Sequence, residues 1–376
     1  MKARIGGWLA VGLLGLGLTT GCATTGPQTR VALPLGEQMR QRGVEPAQVV
    51  VPFEIDAELA QWARQRVSNT LDMNRRLDDL LLALLGSGEI TLTYEADATG
   101  TAAEVFASGR ANCLAFAFLF AGLARSVDIP VDFLLVPEVE RFSREGDFII
   151  VSEHATVVFG EGEDRRILEF RLGPSLDYRR AVRISDITAI ALYYSNLGAQ
   201  ALRAGELALA RERLEIAARL DPRLGQAWTN LGVARRRTGD VPGAEAAYFR
   251  ALEIDPKNPS AYQNLAALAQ SRGGQQSALD LLSRVDEIDS QNPYSYLALG
   301  DLAAALGNEA EAGRFYREAL RRAPHSAEMF AALGLWNLKA GELRTARRLL
   351  KKARKLDPEA PRVAALEGRL TGIADS

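Results

Sequence analysis

A 34-residue period governs the second half of the chain. Pro222, Pro256, Pro324 and Pro358 stand on one lattice of that spacing, with Ser290 at the node where the proline is missing. Aromatic residues fall on the same lattice at Tyr194, Trp228, Tyr262, Tyr296 and Phe330. Three residues after each comes a leucine: Leu197, Leu231, Leu265, Leu299 and Leu333. The next position is small (Gly198, Gly232, Ala266, Gly300, Gly334), as it must be where two helices of a pair approach closely. Alanine recurs at Ala210, Ala244, Ala278, Ala312 and Ala346, and a further small position holds Ala217, Ala251, Val285, Ala319 and Ala353. A fixed period of this length marks a stacked array, in which no helix pair buries its apolar face alone and stability comes from stacking on the neighbours. Gly205, Gly239, Gly307 and Gly341 fall between paired helices, where a helix C-terminus favours the left-handed conformation. The third repeat reads Arg272-Gly273-Gly274-Gln275 at its turn and lacks the closing proline, which predicts a bend or looser packing there.

Agreement at these positions over five copies resembles the tetratricopeptide family. The resemblance covers residues 191–358, with residues 359–376 as a capping helix and tail. It implies an all-α solenoid whose concave groove takes a protein or peptide partner. Asn196, Asn230 and Asn264 stand just before the lattice leucine in the first three repeats. Side-chain amides both donate and accept, so a row of three is expected to line the groove and hold an extended peptide backbone. From Arg344 to Lys355 the chain carries seven basic residues and no acid, while Leu349, Leu350 and Ala353 keep an apolar face. That reads as a solvated helix face; the sharper alternative is contact with anionic phospholipid or peptidoglycan.

At the other end, Lys2 and Arg4 precede an apolar run over residues 5–18 that is too short to span a bilayer. Thr19, Thr20 and Gly21 then lead into Cys22. Residues 1–21 therefore read as a signal peptide, and the Gly21-Cys22 ending resembles a bacterial lipobox, with Thr19 departing from the larger apolar residue usual there. The resemblance implies lipidation of Cys22, a tether over residues 22–50 and a place in the cell envelope. With Ala23 after the cysteine, it points to the periplasmic face of the outer membrane.

A net charge of −2, with 24% charged residues, gives no reason to expect nucleic acid. No metal-type Cys/His cluster, phosphate loop or dinucleotide fingerprint occurs, so neither metal nor cofactor is expected. With 376 residues the chain is long enough for two domains. Cys113 is the one cysteine besides Cys22, and it opens an apolar, helix-like run. In an oxidising compartment such an unpaired thiol is either a buried apolar filler or a nucleophile. His154, one of two histidines, sits in the strand-like residues 152–159, and Glu169 sits in the strand-like run that follows a Gly-rich turn. Helices are expected over residues 57–67 and 71–85, and Thr101 with Glu104 has capping-box spacing. Asp128-Ile129-Pro130 breaks the chain, and strands follow over residues 131–136, 148–151, 155–159 and 166–170.

A thiol on a helix followed by histidine and carboxylate on a sheet resembles the bacterial transglutaminase-like domains of the papain-like superfamily. The residues carrying the resemblance are Thr101 to Phe106, Asn112-Cys113-Leu114, Leu123-Ala124-Arg125, Ile129-Pro130, His154 and Glu169. It implies an α+β domain over residues 51–190 ahead of the solenoid. It also implies a Cys113 nucleophile, a His154 base and a Glu169 orienter, where the family has aspartate. Asp164 and Asp177 are runner-up orienters, and Asn112 is a candidate oxyanion donor. Such a site would act on amide or peptide bonds through a thioester, as a hydrolase or acyltransferase. The alternative is a non-catalytic adaptor scaffolding an envelope complex. No Gly/Pro-rich linker separates the halves near residues 189–193, so they are expected to pack rigidly.

Overall fold

The structure, a computed structural model, describes residues 33–86, 90–145, 148–168, 178, 181–288 and 292–374. The signal segment, Cys22 and the first part of the tether lie outside the described residues. Among the described residues no helix is long and apolar enough to cross a membrane.

The N-terminal half begins with α1 (Leu35–Gln41), α2 (Ala57–Arg66) and α3 (Met73–Leu81), the last continued by a π turn over Leu82–Gly86. A short parallel pair, β1 (Thr93–Tyr94) and β2 (Arg110–Ala111), brackets α4 (Ala102–Ser108). The capping box forms in full: the Thr101 hydroxyl accepts from the Glu104 N–H, and Glu104 accepts from the Thr101 N–H at 2.7 Å. Next comes α5 (Cys113–Ser126), buried without interruption from Cys113 to Ala124. A helix apolar all round belongs inside a fold rather than on its surface. It ends where Asp128 takes a positive φ of 55° ahead of Ile129-Pro130.

An antiparallel sheet covers α5: β3 (Val131–Glu145), β4 (Phe148–Phe159), β5 (Arg166–Leu168) and β6 (Val182–Ile184), in the order β5-β4-β3-β6. The strands expected separately over residues 148–151 and 155–159 are one strand, because the backbone ladder runs on through the polar Ser152-Glu153-His154. What is interrupted is the partner. Pairing is regular from Val131↔Phe159 to Val136↔His154, shifts, and resumes at Arg141↔Ser152. Pro137, which has no N–H to donate, stands at that bulge.

Five helix pairs follow on the lattice: α6 (Asp186–Ala204) with α7 (Leu207–Leu220), α8 (Gly225–Arg237) with α9 (Val241–Ile254), α10 (Pro259–Ser271) with α11 (Gln275–Glu287), α12 (Pro293–Ala305) with α13 (Glu309–Arg322), and α14 (Ala327–Lys339) with α15 (Leu343–Leu356). A last helix, α16 (Pro361–Ala374), caps the stack. At the turn of the third repeat Gly273 takes φ +79°, close to Gly205, Gly239, Gly307 and Gly341 at the same place. A left-handed residue there closes the helix regardless of the extra glycine beside it. Ser290, at the missing-proline node, lies outside the described residues.

The expected boundary between residues 190 and 191 falls inside α6. Phe118, Phe133, Ile187, Tyr193, Ile216 and Leu220 belong to one continuous core that joins α5, the sheet and the first repeat. Arg125 completes the seam, donating to both carboxylate oxygens of Asp186 at 3.0 and 2.9 Å and to the Val131 carbonyl. Burial, and then the Glu104 carboxylate, push the Tyr193 phenol up to about 12, so it stays neutral in this core.

The small lattice position is set by direct contact. A Cβ on Gly232 would lie 2.4 Å from the ring of Tyr248, which is fully buried. Gly368 in α16 is the opposite case, with open space around it. Gly232→Ala therefore loses stability by about 1–3 kcal/mol through overpacking, in spite of alanine's helix preference. Gly368→Ala gains about 0.5–1 kcal/mol by the same preference. Urea midpoints of the two variants should move in opposite directions.

Candidate functional site

The thiol sits at the first residue of α5. Asn112 caps that helix, its Oδ1 accepting from the Ala115 N–H at 2.8 Å. The Asn112 Nδ2 donates to the Thr99 hydroxyl at 2.7 Å and its N–H to the Ala98 carbonyl, which pins the preceding loop to the helix start. The side chain expected as an oxyanion donor thus holds the helix end in place. Cys113 itself is a free thiol and buried, with 7% of its surface exposed.

α5 packs against β4, the strand that carries His154, so the structure brings those two elements together. His154 stands opposite Val136, the last pair before the bulge. Glu169 and Asp177 lie outside the described residues, and Asp164 lies in a single 3-10 turn over Gly162–Asp164. Of the three expected catalytic residues, the structure describes the surroundings of Cys113 alone.

The asparagine row is present on the first helices of three adjacent repeats, but it is covered. Asn196 keeps 8% of its surface, while Asn230 and Asn264 keep none. β4 packs against α6, α8 and α10, the three helices that carry the row. Three residues further along the lattice, Ala199 and Val233 are fully buried, whereas Ala267, Asp301 and Leu335 are partly exposed. Ala199 and Val233 lie in the repeats' own core, and at this position the face is partly open from the third repeat on.

There the concave face opens into a cavity of about 370 Å³ lined by Arg236, Gln263, Gln270, Ser271, Asp301 and Arg362. Its walls are built from locked polar groups. Gln263 donates to the Tyr294 carbonyl at 3.1 Å and accepts from Ser295 at 2.8 Å, tying α10 to α12. Asp301 takes both arms of the Arg362 guanidinium, one at 3.0 Å, and accepts from the Tyr316 hydroxyl at 3.0 Å. Burial works against the Arg362 charge, but the Asp301 carboxylate outweighs it and the guanidinium pKa rises above its ordinary value. Burial, followed by the same carboxylate, drives the Tyr316 phenol far above its own range. The network escaped the sequence reading, although one signal was visible: Asp301 is the single charged residue at a lattice position otherwise holding Ala199, Val233, Ala267 and Leu335.

The basic helix α15 exposes all seven of its cations. Arg354 pairs with Glu367 at 3.0 Å, and Lys352 lies 5.3 Å from the Phe330 ring.

Models of the tetratricopeptide repeat match residues 196–259, 247–280 and 293–326. With the five stacked helix pairs, this identifies the C-terminal region as a tetratricopeptide repeat array. Among solved structures, PilF of Pseudomonas aeruginosa is 20% identical, covering 49% of this chain and 84% of that one at a TM-score of 0.43. A thermophilic tetratricopeptide protein of Thermus thermophilus is 21% identical over 48% of this chain and 97% of that one, at 0.41. YrrB, described as having an unusual peptide-binding site, is 20% identical over 47% of this chain and 92% of that one, at 0.35. No curated protein matches the chain.

Removing Asp301 leaves a partly buried guanidinium short of its main partner. Asp301→Ala should cost about 1–3 kcal/mol, the scale of a charged hydrogen bond with some solvent access. Arg362→Met with Asp301→Leu should cost less than the two single changes summed, and a double-mutant cycle by urea unfolding measures that coupling.

Proposed function

We propose that the protein is a binding scaffold whose repeat groove holds an extended segment of a protein partner. The observation that carries this reading is the polar cavity on the concave face, where Arg236, Gln270, Asp301 and Arg362 from four different helices converge on one opening. Gln263, Asp301 and Arg362 are held in place by their own hydrogen bonds and so pre-organised, which leaves little ordering entropy to oppose binding there. The shared core between α5 and α6 supports a single rigid body, in which the N-terminal domain closes the first end of the stack. The lipobox-like Gly21-Cys22 supports placing this scaffold on a lipid anchor in the bacterial envelope. A photo-crosslinking residue at Gln270 should give a discrete protein adduct that Asp301→Arg abolishes. The same residue at Arg250, on the second helix of its repeat, should give none. Equal adducts from both positions, or none from Gln270, would sink the reading.

A second reading, a cysteine-dependent amidase or acyltransferase, is favoured by one observation: Cys113 is the first residue of a capped helix that packs on the strand of His154. Iodoacetamide labelling across pH 4–9 tests it. Labelling that persists below the range of an ordinary thiol, and collapses in His154→Ala, supports an activated thiolate. Slow labelling that is equal in both proteins, and rapid only in denaturant, leaves Cys113 as a core residue and the scaffold reading alone.

A further inference from the structure

We propose that the basic face of α15 is a docking surface for an anionic phospholipid bilayer, and that it holds the last repeat against the membrane through headgroup contacts alone. This goes beyond the scaffold reading and stands whatever the groove binds.

At about 100° per residue, the seven cations of α15 fall within an arc of about 160°, and Ala346, Leu349 and Ala353 are buried on the opposite side. The cations form two rows at i, i+4 spacing, Arg344-Arg348-Lys352 and Arg347-Lys351-Lys355, with Arg354 beside them, and all are exposed. Acids stand only at the helix ends, Glu342 before the first turn and Asp357 after the last. The second helices of the other repeats supply the comparison, since each neutralises part of its own charge. Arg211 pairs with Glu215 in α7 at 3.0 Å, Arg250 with Glu253 in α9 at 2.7 Å, Arg284 with Glu287 in α11 at 2.8 Å and Arg321 with Glu318 in α13 at 2.5 Å. In α15 Arg354 reaches Glu367 of α16, and Lys352 lies against the Phe330 ring. Arg344, Arg347, Arg348, Lys351 and Lys355 have no ion pair among the described residues. Like charges one turn apart destabilise a helix, and an anionic surface removes that repulsion.

The apolar side of α15 is used by α14 and α16, and its backbone bonds close within the helix. An acidic peptide would meet charge there, with no strand edge to pair with and the apolar side already covered. A bilayer needs neither. Its anionic headgroups attract each nearby Lys or Arg, and the attraction dies away within a Debye length. The helix is about 20 Å long, so its rows of cations can lie flat on a headgroup layer. With its apolar side buried in the fold, α15 touches headgroups without entering the acyl region, unlike a free amphipathic helix. The contact is therefore sensitive to salt. The lipobox-like Gly21-Cys22 points to the same kind of surface. None of the seven cations lines the concave cavity, so docking through α15 leaves that cavity free for a protein partner.

The test is co-sedimentation with vesicles of equal parts phosphatidylglycerol and phosphatidylcholine. It uses the chain from residue 22 on, carrying Cys22→Ser so that no acyl group contributes. Leu35–Ser376 forms one compact unit, so leaving out residues 1–21 takes nothing from it. Binding should be roughly tenfold or more tighter than to phosphatidylcholine alone, and should fall as steeply when salt is raised from about 0.05 to about 0.5 M. Arg348→Gln with Lys351→Gln and Lys355→Gln, at the centre of the face, should weaken it by roughly tenfold or more. Arg64→Gln with Arg75→Gln and Lys257→Gln removes the same charge from exposed sites elsewhere and should leave binding within about twofold. Equal weakening by the two triple variants overturns the proposal, because net charge would then account for adhesion. Failure to bind the anionic vesicles overturns it too, and polyglutamate held in their place would assign α15 to an acidic protein segment. Amine footprinting of the unsubstituted chain reads the same face with no variant to fold. Anionic vesicles should protect Lys351 and Lys355 while leaving Lys257 open to modification, and equal protection of all three overturns the proposal.

Discussion

The edge-on packing of Phe118 against Tyr193, with ring centroids 5.8 Å apart, joins the helix at the centre of the N-terminal half to the first helix of the repeats. Around it the Phe53, Phe118 and Phe133 rings stack within 5.3–6.2 Å, and the Arg125 guanidinium lies over Phe53 and Phe133 while its arms hold Asp186. Aromatic burial of this kind supplies large apolar area in a fixed geometry. The seam ties the start of α6 to α5 and the sheet, so the first repeat is held to the N-terminal half.

A solenoid has two open ends, each exposing an apolar helix face that must be covered. Here the two ends are closed by different means. The N-terminal domain closes the first by sharing its core, with further ties where the Val50 N–H donates to the Tyr194 hydroxyl at 2.9 Å and Arg203 pairs with Asp97 at 2.9 Å. α16 closes the second, placing Val363, Leu366 and Leu370 against α14 and α15. From that cap Arg362 reaches back to Asp301, so the cap also furnishes one wall of the open cavity. One helix, α16, thus both closes the stack and lines the cavity.

Much of this was legible in the chain. The 34-residue lattice located ten repeat helices and their turns, and Thr101 with Glu104 located the start of α4. These depend on contacts within a helix pair or within one turn, where spacing along the chain is spacing in space. The junction was less legible. Ser152-Glu153-His154 interrupts the apolar pattern of β4, yet strand pairing is a backbone matter and passes through it. Arg362 looked like an ordinary residue of a capping helix because its partner lies 61 residues earlier. The row of Asn196, Asn230 and Asn264 was visible as a row, but that packing would bury it was not.

What the sequence determined by itself was therefore the set of units: the helix pairs, the buried α5 and the caps that start them. Each follows from apolar period, helix-end chemistry and residue size, all of which act over a few residues or one repeat. What only the tertiary structure decided was the fate of the surfaces those units present. Whether a polar side chain of the array lines an open cavity or is tied to another helix depends on which distant segment reaches it, as Arg362 reaches Asp301. A seam such as Phe118 with Tyr193 or Arg125 with Asp186 joins residues 75 and 61 positions apart, and nothing in a local period specifies that pairing.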